Sequence, residues 1–271
     1  MGKRWQAMAA AVWLAAALGC AGGPEARPQV SYRVSAKENF IKGRKAMADE
    51  DYLEAIEYFK FVKNKFPYSA YATQSDLLLA DCQYARDRFL EAAAAYLNFI
   101  KLHPKHEQVP YAMYRIGASY YERIPSDFFI FPPAYEMDQK ETARAVRELE
   151  RYLARFPDDE HAAAAREMLV ECKRRLAQRV HFIMEFNREH DKHRGALWRA
   201  EQLLADYPGS GFDEQALWIK ASSLHALGRA DEARAAAAEL VQRYPKGEYS
   251  EDARQLLERL PAAAAGRETG T

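Results

Sequence analysis

Hydrophobic residues recur with a helical period along the chain from about residue 35 onwards. The alternation of apolar and polar residues that marks a half-buried β-strand is absent, and Ala, Leu, Glu and Arg dominate. Ser35 stands three residues before Glu38, which is the spacing of a capping box that opens a helix. The pattern therefore predicts an all-α fold whose first helix begins directly after Ser35.

Short motifs repeat within this helical region. An aromatic residue or histidine followed by proline recurs at five positions, Pro67, Pro104, Pro157, Pro208 and Pro245. Shifting residues 40–67 forward by 37 positions superposes Gly43 on Ala80 and Ala55 on Ala92. Small residues there let two antiparallel helices approach closely, and proline ends the second helix. This arrangement resembles the tetratricopeptide repeat and predicts an α-solenoid of about five such helix pairs over residues 35–260.

The third repeat is longer than its neighbours. Gly117 and Ala145 are 28 residues apart, whereas the corresponding residues of the first two repeats are twelve apart. The surplus, residues 124–139, contains three prolines and four closely spaced aromatic residues, Phe128, Phe129, Phe131 and Tyr135. We predict a partner-binding loop in which Phe131 and Tyr135 contact the partner, because a monomer rarely exposes so much aromatic surface without a use for it. The alternative is that the aromatic residues fold back and cap the repeat, which we expect of Phe128 and Phe129.

The N-terminus has the features of an export signal. Lys3 and Arg4 precede an apolar run, Met8–Leu18, which is too short to cross a bilayer as a helix. The run ends at Gly19 and Cys20, which looks like the lipobox of a bacterial lipoprotein, although Ala17 occupies the place where that pattern prefers leucine. We therefore predict a signal peptide over residues 1–19 and a lipid anchor on Cys20. An ordinary cleaved signal peptide is the alternative.

Two further segments are predicted to lack regular structure. Residues 20–34 contain glycines and prolines with little periodicity, which indicates a tether between the lipid and the repeats. Residues 261–271 are expected to form a disordered tail.

Composition and motifs argue against catalysis and against nucleic acid as a partner. Basic and acidic residues both number 39, so the surplus of positive charge that phosphate backbones require is missing. No phosphate-binding loop or hydrolase motif is present, and the histidine pairs His103/His106 and His190/His193 have no cysteine neighbours that would complete a zinc site. We expect no enzyme activity, no cofactor and no metal, and we expect Cys82 and Cys172 to be buried in helices.

The first helices of tetratricopeptide repeats line a concave groove, and solenoids bind through such surfaces. Counting from the small crossing residue of each repeat predicts groove positions on the first three repeats. Six of these residues form the predicted binding groove: Phe40, Arg44, Tyr84, Tyr111, Tyr114 and Tyr121. An aromatic, mildly polar groove suits extended peptides. The alternative for each tyrosine is that it packs between neighbouring repeats.

Several motifs together resemble the BamD family of β-barrel assembly lipoproteins in the bacterial outer membrane. The best matches are Asp51–Ile56, Phe66–Ala72, Phe99–Pro104, Pro110–Gly117 and the aromatic insertion before Asp138 and Gln139. The resemblance implies a non-enzymatic scaffold on the periplasmic face of the outer membrane. It also implies that the groove receives unfolded outer-membrane proteins, and that the C-terminal repeats hold a BamA-like barrel-inserting protein alongside accessory lipoproteins.

Within the C-terminal repeats, Arg199 aligns with a basic residue at the family's partner surface, although the fourth repeat matches the family poorly. Another repeat lipoprotein of the envelope, such as a pilotin or a coordinator of cell-wall constriction, is the alternative function. An enzyme with a site hidden in the solenoid is a further alternative from a different class.

Overall fold

The computed structural model describes residues 30–125 and 133–261. Cys20, Phe128, Phe129 and Phe131 lie outside the described residues, as do the predicted signal peptide and nearly all of the predicted tail. The described part of the chain contains α-helices and one short 3₁₀ helix, and no β-strand. The prediction of an all-α fold is therefore confirmed.

The helices follow one another in antiparallel pairs closed by a final single helix. Their bounds are α1 Ala36–Ala48, α2 Tyr52–Lys65, α3 Ala70–Ala85, α4 Phe89–Leu102, α5 Val109–Tyr121, α6 Lys140–Arg155, α7 Ala162–Glu189, α8 His193–Asp206, α9 Asp213–Ala226, α10 Ala230–Arg243 and α11 Ser250–Arg259, with the 3₁₀ helix at Ala134–Glu136. The order matches the five tetratricopeptide-like helix pairs that the sequence predicts.

The chain divides into two compact units, Met1–Cys82 and Gln83–Thr271. In the first unit α1 packs against α2. The crossing residue Gly43 is small because the ring of Phe59 fills the space beside it. A Cβ atom at Gly43 would lie 2.7 Å from Cε1 of Phe59, which is fully buried. Only a glycine lets the two helices approach this closely.

Phe40 requires a correction to the predicted groove. Its side chain is only 6% exposed and its ring lies against the rings of Phe59 and Tyr71, at centroid distances of 5.8 and 5.2 Å. The helical period places Phe40 near the groove, but Tyr71 from α3 covers it. Phe40 is therefore a core residue of the first unit.

The residues before α1 also pack on the first unit. The backbone N–H of Arg33 donates to Oδ1 of Asn39, and Nδ2 of Asn39 donates to the carbonyl of Arg33, both at 2.8 Å. The Tyr32 ring stacks on Phe61 with a centroid distance of 4.1 Å. Residues 31–33, which the sequence analysis assigned to the tether, are thus held against α1 and α2.

In the second unit each helix from α4 to α11 packs on its neighbours in sequence, as in a solenoid. Gly117 marks the crossing of α5 and α6, where an added Cβ atom would lie 2.6 Å from Cδ2 of the buried Leu149. The long helix α7 packs on α6 through its first half and on α8 through its second half. It therefore joins the third and fourth helix pairs without a break.

Candidate functional site

A cluster of tyrosines surrounds one arginine on α5. The guanidinium of Arg115 lies 3.5 Å from the ring centroid of Tyr84 and 5.7 Å from that of Tyr111. Its Nε donates a hydrogen bond of 3.1 Å to the hydroxyl of Tyr96. Stacking of a guanidinium on aromatic faces is favourable, and it fixes the side chain where it is partly removed from water.

The titration of this cluster reflects its partial burial. Burial is the main cause that raises the pKa of Tyr84 to about 12. The positive charge of Arg115 lowers this pKa, whereas the hydrogen bond that the Tyr84 hydroxyl donates to Glu122, at 3.3 Å, raises it further. Burial alone would lower the pKa of Arg115, but the surrounding tyrosines outweigh it and raise that pKa. The cluster thus holds a permanent positive charge among neutral hydroxyl groups.

A second aromatic group continues the cluster along α5. The Tyr114 ring stacks on the His161 imidazole at a centroid distance of 4.6 Å, and Tyr111 lies 5.5 Å from the same imidazole. The hydroxyl of Tyr152 donates to the carboxylate of Asp159, which also accepts the backbone N–H of His161 at 3.1 Å. These contacts fix His161, and hence the face against which Tyr114 stacks. We call Tyr84, Tyr111, Tyr114, Arg115 and His161 the tyrosine–arginine cluster.

Three of the predicted groove residues, Tyr84, Tyr111 and Tyr114, come together in this cluster. Tyr121 lies apart from it, packed beside Cys172 and the charges of Glu171 and Arg175 on α7. Arg44 is exposed on α1 in the other unit. The structure therefore brings three of the six predicted groove residues together.

Sequence reasoning missed Arg115, which is central to the cluster. A signal was present, because Arg115 is the only charged residue in α5. A single charge in an otherwise uncharged helix, with tyrosines four residues before it and one before it, indicates a cation held by aromatic rings.

A second candidate surface joins the insertion to the C-terminal repeats. Nη1 of Arg179 on α7 donates to the backbone carbonyls of Tyr135 and Glu136, at 3.0 and 2.9 Å. The ring of Tyr135 lies 5.4 Å from that of Phe182, one turn further along α7. Nearer the start of the insertion, Nη1 of Arg175 donates to the carbonyl of Pro125 at 2.8 Å. The insertion is therefore fastened to α7 on both sides of residues 126–132.

Arg199 belongs to the same surface. Burial lowers the pKa of the Arg199 guanidinium, and the positive charge of Arg179 lowers it further. Arg199 donates to Oε1 of Gln202 at 2.6 Å, and its guanidinium lies 4.1 Å from the ring centroid of Trp198, which is 59% exposed. We call Tyr135, Arg179, Phe182, Trp198 and Arg199 the insertion-side surface.

This surface carries positive charge without a carboxylate partner. Among the described residues, Arg179 and Arg199 hydrogen-bond only to neutral oxygens. Phe182 and Trp198 expose aromatic area beside them. Arginine and exposed aromatic residues are the residue types enriched at the energetic centres of protein interfaces. The two partner-binding residues that the sequence predicts within the described part, Tyr135 and Arg199, thus lie on one surface.

Metal-ligating and nucleophilic side chains do not converge in the described residues. No group of three or more His, Cys, Asp or Glu side chains there could hold a metal ion. His103 and His106 both lie against the Phe99 ring. Cys82 and Cys172 are buried, and burial raises the pKa of the Cys172 thiol to about 12. None of the helices in the described residues combines the length and the apolar character needed to span a bilayer.

Comparison with known proteins identifies the family. A model of the YfiO family, described as an outer membrane lipoprotein, matches residues 33–238. The chain belongs to this family. The match runs from the residues before α1 into α10, so it includes both candidate surfaces and confirms the family that the sequence motifs indicate.

Relatives from several bacteria carry the name outer membrane protein assembly factor BamD. The chain is 26% identical to that of Caulobacter vibrioides over 92% of its own length and 79% of the relative's. It is 24% identical to that of Neisseria meningitidis serogroup A, covering 82% of this chain and 84% of the relative. The Vibrio cholerae protein is 22% identical, and the similarity covers 84% of this chain and 94% of the relative.

Solved tetratricopeptide structures are also similar in part. The TPR2AB domain of yeast Sti1 in its pHSP90 complex is 13% identical over 82% of this chain and 88% of that domain, with a TM-score of 0.40.

Proposed function

We propose that the protein is a scaffold lipoprotein of the machinery that assembles β-barrel proteins in the bacterial outer membrane, and that it is not an enzyme. The observation that carries the proposal is the extent of the family match, which runs from the residues before α1 into α10, together with the similarity to relatives named as assembly factors. In this proposal Cys20 is acylated, and the protein is held at the periplasmic face of the outer membrane. Two acyl signals or more give stable anchoring without a spanning helix.

The insertion-side surface is proposed to hold the barrel-inserting partner, with accessory lipoproteins joining the complex. The positive pair Arg179 and Arg199, which lacks a carboxylate among the described residues, supports an electrostatic contact with that partner. Trp198 and Phe182 provide the exposed aromatic area that anchors an interface. Phe131, which the sequence analysis assigned to the same role, is proposed to act with Tyr135.

The tyrosine–arginine cluster is proposed to receive unfolded outer-membrane proteins. Aromatic rings provide contact area at a low entropic cost, and Arg115 provides a fixed charge within it. Such a surface suits extended segments of varied sequence, because stacking tolerates different side chains. Tyr121 remains a proposed client contact outside the cluster.

The proposed partner surface is tested by Arg199→Glu. The tagged variant and the wild type are purified from native membranes, and the recovered barrel partner is quantified by mass spectrometry. Recovery should fall about tenfold or more, since a hot-spot arginine contributes roughly 2 kcal/mol, while the melting temperature stays near that of the wild type. Lys101→Glu, an exposed charge reversal on α4, is the matched control and should recover the partner normally. Equal recovery by all three proteins would contradict the assignment.

The proposed anchor is tested separately by Cys20→Ser. The wild type should show the added mass of acyl chains in an intact-mass measurement, and the variant should lack it. A wild-type chain without this added mass would show that the anchor assignment is wrong.

A further inference from the structure

The outer face of α1 combines exposure, positive charge and apolar area. It consists of Lys37, Ile41, Arg44 and Lys45, all of them exposed, whereas the opposite side of the helix, Asn39, Phe40, Gly43 and Ala46, is buried. Ile41 lies at the middle of this face and is 54% exposed. Glu38 at its edge is the one acidic residue among them.

The residues just before α1 extend this face. Arg33 is exposed, and Val34 is 95% exposed although it is a branched aliphatic residue. A helix that presents basic residues around exposed aliphatic residues has the composition of an interfacial helix, which rests on anionic lipid head groups. The acidic residues of the first unit's N-terminal region gather instead in the turn after α1, at residues 49–51. Lys37 lies in the first turn of α1 and Lys45 in its last turn, so the basic residues extend along the whole helix.

The chain leading to α1 is fixed at a defined point. Nζ of Lys42 on α1 donates to the carbonyl of Ser31 at 2.8 Å, and the Tyr58 hydroxyl on α2 donates to the same oxygen at 3.4 Å. Together with the Tyr32–Phe61 stack, these bonds hold residues 31–33 on the first helix pair. The segment between the proposed lipidated Cys20 and this fixed point therefore ends near Val30.

The number of residues between Cys20 and Val30 limits how far α1 can lie from the bilayer. Nine residues separate Cys20 from Val30, and a fully extended chain of that length spans about 30 Å. The outer face of α1 begins directly after the fixed point. A short tether raises the effective concentration of a weakly binding surface at the membrane, so few favourable contacts are needed.

From these observations we propose that the outer face of α1 docks on an anionic lipid surface, with Lys37, Arg44 and Lys45 contacting head groups and Ile41 and Val34 entering the interface. The inference rests on the lipid anchor of the proposed function. It adds a second membrane contact, which would orient the first unit at the bilayer.

The test uses the full lipidated chain with Ile41→Cys, labelled with a fluorophore sensitive to polarity and to iodide quenching. The native thiols do not compete for the label, because Cys82 and Cys172 are buried and Cys20 carries the lipid. The protein is reconstituted in phosphatidylcholine vesicles with and without about 30% phosphatidylglycerol. A label at Val170, an exposed position on α7, is the control.

Iodide quenching at position 41 should be about fivefold or more weaker in the anionic vesicles than in the phosphatidylcholine vesicles. Each basic residue near an anionic surface raises the binding constant by roughly that factor. Lys37→Glu with Lys45→Glu should restore quenching. The control double variant, Lys65→Glu with Lys101→Glu, reverses the charge of two exposed lysines outside the face and should leave quenching low. The label at Val170 should respond to neither lipid composition nor variant.

Three results would overturn the proposal. If position 41 stays open to iodide on both vesicle types while the N-terminus is shown by mass to be acylated, the face does not bind lipid and the anchor assignment survives. If position 41 becomes protected only after protein partners are added, the face is a protein interface. An unacylated chain would remove the tether argument, and the anchor and the docking face would then both be wrong.

Discussion

Gly117 is a residue at which α5 and α6 approach each other closely. The fully buried Leu149 fills the space where a Cβ atom would be placed, and the dense packing around it leaves Leu149 little freedom to move. The small residue is thus a packing requirement of the third helix pair.

Gly117→Ala should therefore destabilise the second unit despite the better helix propensity of alanine. Overpacking costs about 1–3 kcal/mol, and the propensity gain recovers about 1 kcal/mol, so thermal unfolding should show a melting temperature lower by several degrees. Gly195→Ala is the matched control, because its Cβ atom would meet only the half-buried amide of Asn187, at 2.9 Å. A drop of the same size in both variants would contradict this explanation.

Tyr84 makes stability depend on pH in the alkaline range. Its folded-state pKa of about 12 is above the ordinary value of 10, so the folded state favours the protonated hydroxyl. The stabilisation is complete below pH 10 and is lost as pH rises towards 12. The free energy of unfolding, measured with urea, should fall less between pH 9 and pH 11.5 in Tyr84→Phe than in the wild type. An unchanged loss would show that Tyr84 does not contribute.

Residue patterns selected Tyr84, Tyr111 and Tyr114, which come together in the second unit, because each was counted from a small crossing residue. They could not predict the burial of Phe40, which depends on Tyr71 arriving from a later helix. They also could not pair Arg179 with Arg199. These residues lie on different helices, and the repeat motif fails in the part of α7 that sets their register.

At the scale of elements, α7 connects the insertion to the C-terminal repeats. Arg175 and Arg179 lie one turn apart on the same side of α7, and each donates to backbone carbonyls of the insertion. Two aligned arginines on a rigid helix hold the ends of a segment that is rich in proline and aromatic residues. α7 is one continuous helix over Ala162–Glu189, so no loop interrupts it between the part that packs on α6 and the part that packs on α8.

Arg179→Met should release the C-terminal end of the insertion. The amide of Glu136, which donates to the carbonyl of Pro133 in the 3₁₀ helix, should exchange hydrogen about five- to tenfold faster, since hydrogen bonds of this kind contribute roughly 1 kcal/mol each. Arg188→Met is the control, because within the described part of the chain Arg188 pairs only with Glu185 and Glu189 of α7 itself. Faster exchange in both variants would indicate a general loosening of α7.

At the scale of the whole molecule, the candidate surfaces lie on different elements. The tyrosine–arginine cluster is centred on α5, the insertion-side surface on α7 and α8, and the basic face on α1. Each is formed by side chains that a helix pair presents outward while its small residues hold the pair together. This arrangement suits a scaffold that binds several partners at once, and it explains why catalytic motifs are not needed for the proposed role.

Affinity purification of the tagged protein from native membranes tests the proposed role in β-barrel assembly. Mass spectrometry should recover an outer-membrane β-barrel protein with periplasmic domains as the main stoichiometric partner, and Arg199→Glu should reduce its recovery. Recovery of a secretin, or of peptidoglycan-associated proteins without such a barrel, would show that the protein belongs to another envelope assembly.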